Sequence, residues 1–351
     1  MTSDQEENLR MLRDSAAAVA PRDGGLQRIR ALRYQVPGFD RAVWRQMCEM
    51  GWVGLRIPEE DGGAGLGMTE FCAIAEELAG GLVPEPLVAC AAAARVLRGD
   101  DLAAVLAGDH VVIPAWQERA DTLDTGPDTV IRDGRVSGRK VFVTMPAGAD
   151  AFLVTGRNGL AIVAADADGV HLDRAQTQDG GHFGTLTLTD APARAVPGDF
   201  RDAIEEATLL TAASLLGVME RSFSLTLDYL RTRKQFGHPV GSFQALQHRC
   251  TDLSLQIALT RASVANAAAT IDAGAPAADC QAAVSRAKVR ASDAAMLVTR
   301  EGIQLHGGIG YTDEYDAGLY LRKAMVLANT FGSARLHRAR YAATAREPAE
   351  E

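Results

Sequence analysis

The sequence predicts an α+β multidomain chain, and three observations carry that reading. Up to about Asp109 apolar residues recur at helical spacing, as in Val43, Met47 and Met50 and again in Phe71, Ile74, Ala75 and Leu78. From Val111 to about Pro197 short β-prone runs alternate with Asp-Gly and Gly-rich punctuation. From Asp202 to about Ala345 four long helical runs follow one another through short connections, the pattern of a helix bundle. The expected division is an N-terminal α-helical domain over 1–110, a middle antiparallel β domain over 111–198 and a C-terminal four-helix bundle over 199–345.

In the first region, Gly62, Gly63, Gly65 and Gly67 follow Pro58-Glu59-Glu60-Asp61 and read as a loop, while Trp52 beside Gly51 reads as a core tryptophan at a helix end. The β region holds Val111 to Ile113, Val141 to Val143, Phe152 to Val154, Leu160 to Val163 and Leu186 to Leu188, with turns at Asp133-Gly134, Asp168-Gly169 and Asp179-Gly180. The helical runs span Asp202 to Phe236, Phe243 to Ala273, Pro276 to His306 and Asp313 to Tyr341. Ser242 is the expected N-cap of the second run and Gly274 its stop. The polar end from Arg346 to Glu351 reads as a frayed tail.

A chain of 351 residues can bury two or three cores. Its net charge of −9 argues against a nucleic-acid partner but leaves room for a local arginine to grip an anion. The five cysteines lack paired spacing and read as reduced small hydrophobes, not as a disulfide framework or a metal site. No run reaches the roughly 20 apolar residues of a membrane span, and Met1 to Arg10 has no basic leader pattern. A cytoplasmic location, no metal and no membrane are expected.

Two stretches stand out chemically. In Arg233-Lys234-Gln235-Phe236-Gly237, followed by Phe243-Gln244, glycine and proline stop a helix and leave Arg233 on its last turn. A planar guanidinium there can reach a phosphate, or it can merely complement the helix dipole. In Gln304-Leu305-His306-Gly307-Gly308-Ile309-Gly310-Tyr311, three glycines in four residues can present backbone N–H groups to a ligand, or form an ordinary interhelical turn.

Taken together and in this order, the two strings resemble the paired flavin-binding signatures of the acyl-CoA dehydrogenase family. The resemblance runs from about Trp44 to Tyr341 and implies that family's helix–β–bundle fold, with FAD as cofactor. It implies that Arg233 and Phe236 contact the flavin of a neighbouring subunit, with Gln244 supporting the turn. It further implies that Gln304, Gly307 and Gly308 touch the flavin's ADP portion from across the interface. The strand Gly138 to Thr144 is similar to the family strand that packs an aromatic on the isoalloxazine and donates a hydroxyl to N5, roles that fall on Phe142 and Thr144. The family's T-E-P loop is represented by Ala115 to Asp121, where Glu118 alone is recognisable.

The family reaction, α,β-desaturation of an acyl-CoA thioester, needs a carboxylate base. By the resemblance that glutamate position is Phe331, and the alternative position on the first bundle helix is Ala207. Glu206 lies one residue off, about 100° around the helix, with Glu205 one further, and Glu206 is a shifted-base candidate. Glu205, Glu206 and Glu220 are expected on a solvated helical face. The chain is similar to the small, non-catalytic subunits of heteromeric enzymes such as pimeloyl-CoA or steroid side-chain dehydrogenases. That implies a glutamate-bearing second subunit in a heterotetramer with two copies of each chain, and an electron-transfer flavoprotein as oxidant. A stand-alone or homo-oligomeric flavoenzyme using Glu206, and a flavin-free assembly scaffold, remain alternatives.

Overall fold

The structure is a computed structural model that describes residues 3–21, 26–126 and 128–344; the tail read over 346–351 lies outside them. Six helices come first: α1 (Ser3–Ala16), α2 (Gln27–Leu32), α3 (Arg41–Glu49), α4 (Met68–Gly80), α5 (Leu87–Ala94) and α6 (Gly99–Leu106). Eight strands follow: β1 (Val112–Ala115), β2 (Val130–Arg132), β3 (Arg135–Thr144), β4 (Ala151–Gly156), β5 (Gly159–Ala164), β6 (Val170–Gln176), β7 (His182–Pro192) and β8 (Arg194–Val196). The last third holds α7 (Arg201–Thr232), a hairpin of β9 (Lys234–Gln235) and β10 (His238–Pro239), α8 (Gln244–Asp272), α9 (Ala277–His306), α10 (Ala317–Leu327) and α11 (Ala334–Thr344). Among the described residues no helix is long and apolar enough to cross a membrane.

The chain packs as two units. One gathers Gln27–Phe71 and Pro84–Ala207, the other Met1–Leu26, Cys72–Val83 and Thr208–Glu351. In the first, Asp40 caps α3 by accepting the Ala42 N–H at 2.8 Å, and the helix buries Trp44, Met47 and Cys48. Trp52 is buried as expected. The strands form two four-stranded sheets, ordered β1-β4-β5-β8 and β2-β3-β7-β6. Every pair in them is antiparallel except β1–β4, which is parallel because the chain visits the other sheet between these two strands. β7 alternates buried and half-buried residues from His182 to Leu188, as a strand with one face on a core must. Asp133 and Gly134, with φ of 51° and 72°, make the tight β2–β3 turn, where both central residues need the left-handed region.

The second unit is helical and centred on α9, which buries Ala283, Ala287, Ala291, Ala294, Ala295 and Val298 along its length. Small side chains let the neighbouring helices approach closely. α8 buries Leu253, Ile257, Val264, Ala267 and Ala268 and is followed by Gly274 at φ 64°, the expected stop. Ser242 does not cap it: Phe243 occupies that position, and the Ser242 hydroxyl donates to the Pro239 carbonyl at 2.7 Å. A Cβ added at Gly217 of α7 would lie 1.9 Å from the Glu76 carbonyl oxygen of α4, so these helices touch backbone to backbone.

The fourth helical run, expected as one piece from Asp313 to Tyr341, is two helices. Phe331 and Gly332 take φ of 54° and 97° in succession, and a right-handed helix cannot continue through two left-handed residues. Buried polar groups satisfy the broken end. The Lys288 ammonium donates to the Leu327 and Ala328 carbonyls at 3.0 and 2.9 Å. His337 Nε2 donates to the Phe331 carbonyl at 2.8 Å.

Candidate functional site

Arg233 lies immediately past α7, one residue beyond the last turn expected to carry it, and its N–H still bonds the Tyr229 carbonyl at 2.8 Å. The hairpin that follows turns through Phe236 and Gly237, with φ of 56° and 82°. A left-handed phenylalanine is strained by about 1–2 kcal/mol. The Phe236 ring is nevertheless 88% exposed, with Phe243 edge-on at 6.2 Å, so contacts within the chain do little to offset that strain. Gln244 opens α8 with its side chain exposed, and the side chain that ties the turn to α8 is Gln247, whose Nε2 donates to the Gly241 carbonyl at 3.0 Å.

α9 ends at His306, and Gly307 turns away at φ 65° and ψ −141°, a conformation open only to glycine. The glycines of the 307–311 turn do two different jobs. A Cβ on Gly307 or Gly308 would meet nothing within 4 Å, whereas one on Gly310 would lie 2.6 Å from the Ile303 carbonyl oxygen. Gly310 therefore lets the turn lie flush on α9, and Gly307 and Gly308 present bare backbone outward. Gln304 is exposed beside them. The His306 ring sits 4.6 Å from Tyr229 and 4.7 Å from Tyr315, so the last turn of α7 before Arg233 and the glycine turn meet at one place.

Phe142 and Thr144 lie on β3 of the other unit. The β3–β7 register slips between Lys140 and Val143, and Phe142 sits in that bulge at φ 55° with its ring 47% exposed. Bulges re-aim a side chain out of the ladder. Phe183 packs edge-on against it at 6.2 Å, and Thr144 pairs with Phe183 in the ladder. Glu118 points inward. It receives the buried Lys140 ammonium at 2.8 Å and the backbone N–H groups of Asp128 and Thr129 at 2.8 and 2.9 Å.

Phe331 is 8% exposed and Ala207 1%, so neither position offers a carboxylate. The solvated face expected for the glutamates is corrected by the structure. Glu206 is 7% exposed, and its two oxygens face Arg56 at 3.2 Å and Arg95 at 3.0 Å. Both oxygens are engaged by guanidinium groups. Glu205 is half-buried. Glu220 is half-buried too; Arg261 bridges it to Glu76, and burial, then the Glu76 charge, pushes its carboxyl up. Sequence reasoning gave no role to Lys288, His337 and Tyr229, which carry no local motif, nor to Tyr315, which closes the glycine-rich stretch. For His306 the only available signal was adjacency to Gly307.

Three of the non-glycine residues with left-handed backbone are Phe142, Phe236 and Phe331, each at a position singled out from sequence. In the helical unit, an exposed guanidinium, two glycines with open space above them and the exposed, backbone-strained Phe236 suit the pyrophosphate end of a dinucleotide; in the β unit, the exposed, backbone-strained Phe142 suits a flat ring system. The residues present therefore fit FAD.

Residues 6–97 match the acyl-CoA dehydrogenase N-terminal domain and 200–345 the acyl-CoA dehydrogenase C-terminal domain. The chain is 32% identical over 336 residues to the acyl-CoA dehydrogenase IpdE2 of Mycolicibacterium smegmatis, covering 94% of this chain and 96% of that protein. A variant of the Tcur3481–Tcur3483 steroid ACAD superposes with a TM-score of 0.88 at 30% identity, over 97% of this chain and 98% of that one. The ChsE4–ChsE5 complex of Mycobacterium tuberculosis gives 0.87 at 25% identity, over 99% of both chains. With both terminal domains matched and a relative this similar over nearly its full length, the chain belongs to the acyl-CoA dehydrogenase family.

Proposed function

We propose that this chain is the base-lacking subunit of a heteromeric, FAD-dependent acyl-CoA dehydrogenase. The carrying observation is the carboxylate inventory: Phe331 and Ala207 occupy both base positions, and Glu206 is held by two arginines. Bound FAD would take the β hydrogen as hydride while a glutamate of the second subunit removes the α proton, with electrons passing on to an electron-transfer flavoprotein. On this reading Arg233, Phe236, Gln304, Gly307 and Gly308 hold the partner's flavin at its phosphates, with Gln244 or its neighbour Gln247 supporting the turn. Phe142 and Thr144 face the ring system of a flavin on the β unit.

A protein partner is supported by the surface of the bundle. Leu255 and Leu259 of α8 are 56% and 54% exposed one turn apart, and no charged residue falls between Asp252 and Arg261. Leu297 of α9 is also exposed, three residues before Arg300 on the stripe that leads to Gln304. We read these exposed leucines as part of an interaction surface. Two relatives by fold, the ChsE4–ChsE5 complex and the Tcur3481–Tcur3483 steroid ACAD, are named as two-component assemblies, in keeping with a heteromer. The division at 1–110, 111–198 and 199–345, and a cytoplasmic location, belong to the same proposal.

The test is anaerobic mixing of acyl-CoA thioesters with the purified chain, and separately with the chain plus its copurifying subunit, while flavin absorbance is followed. Bleaching only in the assembled complex supports the proposal. Bleaching by the isolated chain would show that it carries its own base, and a colourless complex would leave only the scaffold role.

A further inference from the structure

We infer that His306 is a positioning residue: its imidazole packs against both Tyr229 and Tyr315 in a three-ring cluster that sets the Gly307–Tyr311 turn in register with Arg233. This deepens the functional reading above and rests on it, since what is positioned is the surface proposed to grip the flavin's ADP portion.

The need for such a device follows from the turn itself. Gly307 and Gly308 have no neighbour within 4 Å of a would-be Cβ, and Gly307 takes a glycine-only conformation. Bare glycine backbone is conformationally loose, and a loose nest binds phosphate poorly because ordering it opposes binding. The turn must therefore be fixed from its edges, and three contacts do so. Gly310 lies flush on the Ile303 carbonyl beneath the turn. The His306 ring, on the entering side, is 2% exposed and 4.6 Å from Tyr229 of α7. Tyr315, on the leaving side, closes over the same imidazole at 4.7 Å and lies 6.0 Å from Tyr229. Tyr229 is in turn bonded through its carbonyl to the Arg233 N–H at 2.8 Å. One ring thus fixes both halves of the motif.

The imidazole cannot swivel. Nδ1 donates to the Gly302 carbonyl at 2.6 Å, and Gly302 is itself pressed against α7 at Ser222 and Thr226. Nε2 is buried without a well-formed hydrogen bond, on the side where the Leu225 backbone of α7 bears on the ring. Burial pushes the imidazole down, so the neutral ring with the proton on Nδ1 is the form in the stack.

The experiment compares FAD and FMN affinity by flavin fluorescence, using the protein as it assembles, with its copurifying subunit where there is one. FMN lacks the ADP portion and serves as the internal control. The variants are His306→Leu, His306→Phe and Gly310→Ala, with Tyr229→Phe as a ring-preserving reference. We expect His306→Leu to weaken FAD about tenfold, equivalent to about 1.4 kcal/mol, while FMN affinity stays put. His306→Phe, which keeps a ring in the stack, should recover most of the loss. Gly310→Ala should reproduce it by lifting the turn from α9, which covers the case in which His306→Leu fails to fold. Equal weakening of FAD and FMN, or unchanged FAD affinity in a folded His306→Leu protein, overturns the positioning role and leaves the functional reading standing. Absence of FAD binding by the wild-type assembly removes both.

Discussion

Replacing Glu118 with glutamine should unlock the loop from Ala115 to Asp121. In the structure the Glu118 side chain is 5% exposed and Lys140 is fully buried, with Nζ 2.8 Å from Oε1. Burial pushes the Glu118 carboxyl up, but hydrogen bonds from Lys140 and Thr129 and from the Asp128 N–H outweigh it and bring it to about 2. Burial also pulls the Lys140 ammonium down to about 8, against the opposing pull of Glu118. Glutamine keeps the shape and removes the charge, leaving a buried ammonium without its counter-ion. Breaking one side of a buried pair costs about 3–5 kcal/mol, which lowers the melting temperature by roughly 6–20 °C. The stranded lysine escapes by losing its proton, so the loss should be largest near pH 7 and shrink near pH 9. The double variant Glu118→Gln/Lys140→Met should return towards wild-type stability, because replacing both partners avoids the stranded charge. Differential scanning calorimetry at the two pH values checks all three statements. A Glu118→Gln loss below about 1 kcal/mol, or one independent of pH, would refute the argument that this glutamate is structural. In the wild type the folded pKa lies below the unfolded one, so this carboxylate's contribution is present above about pH 4.5 and is lost as pH falls towards 2.

Glu206→Gln should cost about 1–3 kcal/mol by leaving Arg56 and Arg95 short of an acceptor, while flavin reduction by acyl-CoA in the assembled enzyme stays at the wild-type rate. Chemical denaturation and stopped-flow absorbance read the two effects, and a fall in rate without a fall in stability would restore Glu206 as the base. Burial pulls Lys288 from its ordinary 10.5 down to about 7. The unfolded chain therefore holds more protons between those values, and this lysine makes stability rise with pH across that window. Lys288→Met should remove this rise, so the wild-type-minus-variant difference in melting temperature should increase from pH 7 to pH 9; a difference that does not change with pH would place the ammonium in contact with solvent. Gly217→Ala should destabilise by about 3 kcal/mol or more, since its methyl would meet the Glu76 carbonyl oxygen and no side chain can move aside. Near-native melting of that variant would show that α4 and α7 pack less tightly than the structure has them.

Much of the architecture was legible because it is written locally. Helical periodicity repeats within a few residues, so α7, α8 and α9 could be read, with Gly274 as the stop of α8; α7 ends at Thr232, short of the expected Phe236, because Lys234–Gln235 pairs with His238–Pro239 in a hairpin. β1, β4, β5 and β7 announced themselves as apolar runs. β2, β6 and β8 did not, because they are largely exposed strands carrying Arg132, His171, Asp173, Arg174 and Arg194. Such segments become strands only through a neighbour elsewhere in the chain. The split of the last run at Phe331 was hidden for a related reason. A phenylalanine in left-handed backbone is no local preference; it is held there by Lys288 and His337, from the helices before and after it.

The sequence by itself determined the family, the order of helices and strands, and the absence of a glutamate at position 331. These depend on which residues occur and how they are spaced along one chain. Only the tertiary structure decided what each ionisable or aromatic group does. Glu206 meets Arg56 across 150 residues of sequence and Glu118 meets Lys140 across 22. His306 meets Tyr229 by the packing of two helices. A side chain's chemistry is set by burial and by the groups facing it, and folding brings those groups together from positions whose separation no local pattern encodes.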